Sequence, residues 1–490
     1  MQFFKIKTLA MCVLCTFSFA SQTQTLQTQQ NDRNQLPEIG VVASDAITIE
    51  KEKIIGDAIM RQLRGQAPLI QDPVLQEYVQ DIGNRLVVHA DNTKFPFTFF
   101  IINNPVLNAF AFYGGHIGVH TGLIAQAETE SEFASVLAHE VAHVTQRHLA
   151  RRLQSQQRSG PLQLASMIGS LLIAMADPRA GMAAVSASMA GSQQAVINFT
   201  RNNEQEADSI GINILYRAGF DPMGAPAFFG RLSEQYGLRS TQLAFLQTHP
   251  LPNDRVAETL TRARSYGEVY TPESLHFHLA RARIQSRYMS TNERNLGFFE
   301  SQINRLQGVK KTAALYGYAL SVFEAEEYKR AEDLINTLLK DDPENLFYLD
   351  LKTDILIKQN RHNEAVQMLK PLWQHKPQNL VLALNLANVY LTSADYEPAI
   401  QILRDLLLVD KQNILAYQLL NDAYQRSSQK KEAHKTQAEI YSLIGAYSLA
   451  IDELQFAYNF ARDDTIEKQR ILGRIDQLRS AQANAQRLSL

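Results

Sequence analysis

Cysteine is nearly missing from this chain of 490 residues: there are two, Cys12 and Cys15, and both fall within the first twenty positions. Beyond them no disulfide can form and no thiolate can hold a metal, so any metal ligands must be His, Asp or Glu. An excess of one charge is missing too. The 48 basic and 50 acidic side chains leave a net charge of −2, without the basic stripe that nucleic acid requires, so no nucleic-acid partner is expected. No phosphate-binding glycine loop is present, so ATP dependence is not expected. The apolar run Leu9 to Phe19 is shorter than the ~20 residues of a membrane-spanning helix. With Lys5 and Lys7 before it and Ser18-Phe19-Ala20 at its end, it reads as a signal peptide, residues 1–20, cleaved after Ala20. Residues 21–35, rich in Gln, Thr and Asn, read as a disordered tether.

The stretch that carries chemistry is His139-Glu140-Val141-Ala142-His143. On a helix, residues four apart share a face, so both histidines can aim a ring nitrogen at one metal ion. Glu140 projects beside them, within reach of a water that zinc would acidify and whose proton a carboxylate would take. Leu137, Val141 and Val144 recur at helical intervals along Glu132 to Leu153 with no Gly or Pro, which predicts one continuous helix. Thr129 with Glu132 reads as the capping box that starts it. Two histidines do not suffice for a catalytic zinc. His148 lies five residues beyond His143, about 140° round a continuous helix, and so is expected to face elsewhere. Asn203-Glu204-Gln205-Glu206-Ala207-Asp208 offers the missing ligand. Glu204 and Asp208 share a helical face, but spacing leaves Glu204, Glu206 and Asp208 all open.

Before this helix, Phe97 to Ile102 reads as a buried strand, and Ala109 to Tyr113, Gly114-Gly115 and His116 to His120 as strand, turn and strand. A strand edge beside a metal site could pair with an extended peptide, most directly along Phe112 to Val119. Two apolar segments within residues 162–197 are open to two readings, a lid or membrane-touching hairpin and a pair of core helices. The first segment is short for a bilayer, which favours packing and leaves at most peripheral membrane association.

The second half repeats. Ala331, Ala365, Ala399 and Ala433 recur every 34 residues, and Asn345, Asn379 and Asn413 keep the same period. A small residue where paired helices approach, at that period, is the tetratricopeptide (TPR) signature. Gly317 and Tyr318 occupy the matching first-helix positions, and Ile471, Ile475 and Leu478 form the stripe of a capping helix. The fold class expected is α+β, predominantly α: a catalytic domain with a small sheet at 36–270, then an all-α TPR solenoid at 271–490.

H-E-x-x-H, followed about sixty residues later by Glu204-Gln205-Glu206-Ala207-Asp208 and preceded by Asn108-Ala109-Phe110-Ala111-Phe112, resembles the M48 family of zinc metallopeptidases. The resemblance implies a zincin-like endopeptidase binding one zinc per chain. It implies His139, His143 and Glu204 as ligands, Glu140 as general base and Asp208 as an orienting carboxylate. Thr248-His249-Pro250 with Arg255 also matches a family pattern. His249 then either donates to the oxyanion of the tetrahedral intermediate or fills the open metal position and silences the site. Secreted relatives with a TPR array further imply a periplasmic enzyme that degrades or helps assemble stalled outer-membrane β-barrel proteins, with the barrel-assembly machinery as partner. The rival expectation is a TPR chaperone or adaptor with little proteolysis.

Overall fold

The computed structural model describes residues 47–156, 201–236, 245, 249, 253–462 and 464–487. The expectations for the signal peptide, the tether and residues 162–197 lie outside them.

Helices α1 (Ile49–Gln66) and α2 (Pro73–Val88) open the described part. Asp72 caps α2 by accepting from the Leu75 N–H, and Pro73 sits where its missing N–H costs nothing. Then come β1 (Thr98–Ile102), β2 (Ala109–Phe112) and β3 (His116–His120), a short α3 (Thr121–Gln126), and the motif helix α4 (Glu130–Thr145). The sheet order is β1-β3-β2, with β3 parallel to β1 and antiparallel to β2. The β2–β3 turn needs two left-handed residues, supplied by Gly114 (φ 81) and Gly115 (φ 86). Any Cβ on Gly115 would stand 2.5 Å from the Pro96 carbonyl oxygen.

Because β3 is central, the substrate edge expected along Phe112 to Val119 is restricted to the outer side of β2. The Asn108 carbonyl bonds towards β3, so by alternation Ala109 and Ala111 turn their backbone groups outward.

Thr129 caps α4 as its sequence implies, accepting from the Glu132 N–H at 3.1 Å. The single helix expected from Glu132 to Leu153 is instead two. α4 stops at Thr145, Arg147 takes φ 52, and α5 (His148–Gln156) begins anew. The side chain of Arg147 explains the break: it is buried against the Glu52 carboxylate and the Ile47 carbonyl, contacts a straight helix would forgo. α6 (Arg201–Arg217) and α7 (Gly224–Tyr236) pack on α4, and α8 (Asn253–Arg264) packs on both of them.

α9 (Leu275–Ile284) and α10 (Asn292–Arg305) both pack on α11 (Gly308–Glu324), and from there the helices pair in sequence: α11 with α12 (Tyr328–Asp341), and α13 (Leu346–Lys358) with α14 (His362–His375). They continue with α15 (Leu380–Thr392) and α16 (Tyr396–Val409), α17 (Ile414–Arg426) and α18 (Lys430–Leu443), and α19 (Tyr447–Phe460) and α20 (Thr465–Arg487). Ala331, Ala365, Ala399 and Ala433 are all buried at the pair contacts, and Asn345, Asn379 and Asn413 cap α13, α15 and α17. A second 34-residue signal accompanies them. Glu326, Asn360, Ala394, Ser428 and Arg462 all have positive φ, and each of the first four ends its helix in a 6→1 bond such as Arg361 N–H to Leu356 C=O.

One apolar core runs from Ile70 through Phe133 and Phe245 to Tyr316 and Val381, so the sheet, α4 and the first repeats share it. Polar ties follow the same path. Arg283 on α9 donates to Asp72 at 2.6 Å and sits 2.7 Å from Asp350 on α13, with all three buried. Glu77 on α2 accepts from the Asn379 side chain and the Val381 N–H at the start of α15.

Candidate metal centre

α4 places His139 and His143 on one face, and α6 crosses it closely enough to bring its own carboxylates opposite. Gly211 makes the crossing possible, because a Cβ there would lie 3.1 Å from the His139 nitrogen. Glu204 and Asp208 then face α4, while His249 enters from the far side with its ring against Phe245, centroids 5.0 Å apart.

Donor atoms of His139, His143, Glu204 and His249 all lie within 4.8 Å of one another, and all four residues are buried. His139 Nε2 is 3.0 Å from His143 Nε2, 3.2 Å from His249 Nδ1 and 3.4 Å from Glu204 Oε2. His143 Nε2 is 3.5 Å from Glu204 Oε1, and His249 Nδ1 is 3.2 Å from Glu204 Oε2. Tetrahedral bonds of ~2.0–2.1 Å set donor separations of roughly 3.4 Å, so this all-N/O set fits zinc-like coordination. Glu204 Oε1 is buried and accepts no hydrogen bond among the described residues, as a donor reserved for a cation would be.

Around this set the electrostatics are arranged in layers. Asp208 Oδ1 is 3.0 Å from His139 Nδ1 and so can fix that ring's tautomer. Burial would lower the His139 pKa, but Asp208 and Glu204 together push it up to about 10. Burial likewise works against ionised Glu204, yet the facing histidines hold it well below the usual carboxylate range. Arg255, from α8, is 1% exposed and forks Asp208 at 2.7 and 2.8 Å, with a third nitrogen 3.0 Å from Glu204. Glu140 stands apart: burial raises its carboxyl, the Ala111 N–H of the sheet edge donates to it, and His249 Nε2 is 3.3 Å away.

Of the three acidic residues left open by spacing, Glu204 joins the donor set, Asp208 backs His139, and Glu206 lies outside, paired with His148 and Arg151. His148 stays outside the donor set, as expected, but the angular reason for that does not hold. Because the helix breaks at Arg147, its ring returns to His143, Nδ1 to Nδ1 at 2.8 Å. Arg255 stood in the quoted pattern without a role; its signal was a lone arginine following a histidine loop.

The sequence profile of peptidase family M48 matches residues 73–263, and a tetratricopeptide profile matches 356–420. A relative named putative beta-barrel assembly-enhancing protease, from Vibrio cholerae, is 47% identical over 327 residues, 66% of this chain and 68% of its own. The chain belongs to peptidase family M48. The beta-barrel assembly-enhancing protease of Escherichia coli K12 is 45% identical over 335 residues, 68% of this chain and 69% of its own. The mitochondrial metalloendopeptidase OMA1 of Schizosaccharomyces pombe is more distant, 27% identical over 187 residues, 36% of this chain and 50% of its own. As an M48 peptidase carrying TPR repeats, this protein is a metalloendopeptidase, and its buried His/Glu set suits a metal cofactor.

Proposed function

We propose that the chain is a periplasmic zinc endopeptidase, its peptidase part at 36–270 and its repeats at 271–490, acting on outer-membrane β-barrel proteins stalled in assembly. The observation that carries the reading is the convergence of His139, His143, Glu204 and His249 beside the Glu140 carboxylate. Zinc held by His139, His143 and Glu204, one per chain, would supply Lewis acidity towards a water and a peptide carbonyl. Glu140 is the proton acceptor: it is buried, burial pushes its pKa up, and it can pass the proton on to the leaving amine. Asp208, anchored by Arg255, holds His139 in orientation.

His249 closes the resting site. Its Nδ1 supplies a fourth protein donor while its Nε2 lies 3.3 Å from Glu140, so the open position is taken and the base is crowded until His249 leaves. The outer edge of β2 lies against Glu140 through Ala111, where an extended strand could add by backbone pairing. A barrel caught before closure exposes such a strand. The names of the Vibrio and Escherichia relatives, which speak of β-barrel assembly, support this substrate class; the partner proposed for the repeats is the barrel-assembly machinery. Among the described residues no helix is long and apolar enough to cross a membrane.

The closed site favours a second reading, in which binding by the repeats matters more than cleavage. Glu140→Gln separates them: lost cellular function indicates hydrolysis, whereas function that survives it but not removal of the repeats indicates binding. The test of the site is zinc content of the purified chain. One zinc per chain, lost in Glu204→Ala and kept in His249→Ala, is expected; metal-free wild type, or zinc retained without Glu204, overturns the assignment.

A further inference from the structure

We propose that His148, backed by Glu206 and Arg151, is a positioning residue that fixes which nitrogen His143 presents to the metal. This rests on His143 being a ligand, as proposed above. The turn at Arg147 folds the start of α5 under α4, so the His148 ring, wholly buried, packs against His143 with centroids 4.8 Å apart and planes at 78°. The two Nδ1 atoms are 2.8 Å apart, close enough that one must donate and the other accept. At the other side of the ring, His148 Nε2 is 3.2 Å from Glu206 Oε2, which also accepts from Arg151 Nη1 at 2.8 Å.

The direction of the chain follows from its outer end. A carboxylate held by an arginine accepts only, so His148 Nε2 carries the hydrogen and donates to Glu206. A neutral imidazole has one N–H, which leaves His148 Nδ1 bare and able only to accept. The hydrogen between the rings therefore belongs to His143 Nδ1. His143 Nε2 is then the bare lone pair, and it is the nitrogen that points into the donor set, 3.0 Å from His139 Nε2. His139 has its own equivalent in Asp208 with Arg255 behind it. Each histidine of the motif thus has its own polar chain behind it, ending in an arginine: Asp208 lies 3.0 Å from His139 Nδ1, and His148 Nδ1 lies 2.8 Å from His143 Nδ1.

The test uses the purified full chain stripped of metal, with zinc affinity measured by chelator competition. His148→Phe keeps a buried ring but cannot accept, and it is expected to weaken zinc binding by ~10–100-fold. His148→Asn places a carbonyl oxygen close to where Nδ1 lay and is expected to recover most of that loss. With zinc saturating, His148→Phe should lower kcat while KM stays within about twofold, since the peptide is held elsewhere. Should His148→Phe fail to fold, 15N-histidine NMR of the zinc-loaded wild type reads the same point, with the hydrogen expected on Nδ1 of His143 and Nε2 of His148. Unchanged zinc affinity in His148→Phe, equal losses in the Phe and Asn variants, or the opposite tautomer at His148 overturns the inference while leaving the ligand assignment standing. Wild type that binds no zinc would instead overturn the assignment itself.

Discussion

Arg255→Met would measure how the carboxylates of the metal centre are tolerated inside the protein. The guanidinium is 1% exposed and makes three contacts, two to Asp208 at 2.7 and 2.8 Å and one to Glu204 at 3.0 Å. Asp208 and Glu204 are themselves almost wholly shielded from water, with side chains 9% and 2% exposed. Methionine fills much of the same volume but removes the guanidinium, leaving both carboxylates with only the His139 ring as a cation beside them. Deleting one member of a buried pair costs about 3–5 kcal/mol, mostly from the charge left behind. Against a typical stability of about 5–15 kcal/mol, that is a large fraction, readable as a lower denaturant midpoint in the metal-free chain. Neutralising the stranded partner should recover part of it. Arg255→Met with Asp208→Asn is expected to be less unstable than the sum of the two single changes, by about 0.5–3 kcal/mol. Arg255→Lys should also fall short of wild type, because one ammonium cannot fork a carboxylate and reach a second. Additive single and double variants, or Arg255→Met within ~1 kcal/mol of wild type, would refute the idea that the fork holds these charges in place.

Three further expectations are independent of the metal. Ala394 sits at φ 60 with no side-chain group to ease that conformation, so Ala394→Gly should stabilise by about 1 kcal/mol in thermal unfolding, whereas Asn360→Gly at φ 59 should gain much less. At Asp57 burial opposes ionisation, but bonds to His116 and Lys53 prevail and bring its pKa down to about 2. A folded pKa below the unfolded one stabilises above the unfolded value and is lost on acidification. The advantage of wild type over Asp57→Asn should therefore be about 2 kcal/mol at neutral pH, with about 1 kcal/mol of it gone by pH 3; a difference flat from pH 7 to 3 contradicts this. Gly211→Ala should cost about 1–2 kcal/mol despite the better helix propensity of alanine, because its Cβ would press on the His139 backbone, which cannot rotate away. An equally stable Gly211→Ala would show that the helix crossing yields.

Periodicity explains what could be read in advance. The motif helix, its cap at Thr129 and the 34-residue spacing of alanines and asparagines are local patterns, and each has its counterpart in α4 and the five helix pairs from α11 to α20. Glu204 and Asp208 were confined to one face by their spacing, but choosing between them and Glu206 needed the fold. What stayed hidden depends on one residue's tertiary bond. Arg147 breaks the helix to reach Glu52, 95 positions away, and without that break the angular argument against His148 is sound. The left-handed positions at 326, 360, 394, 428 and 462 were equally invisible, since Glu, Asn, Ala, Ser and Arg share no chemistry that announces a positive φ.

The bond from Arg283 to Asp72 has a consequence for how this enzyme could be taken apart. Asp72 starts α2 on the peptidase side, and its charge is neutralised by a residue beyond the position where a chain would be cut to isolate that part. A fragment ending near residue 270 would keep the buried carboxylate and lose its arginine, along with the apolar surface that continues to Val381. The repeats are in this respect a wall of the enzyme, and a partner that prises that wall would be felt at α2, which packs against the motif helix itself.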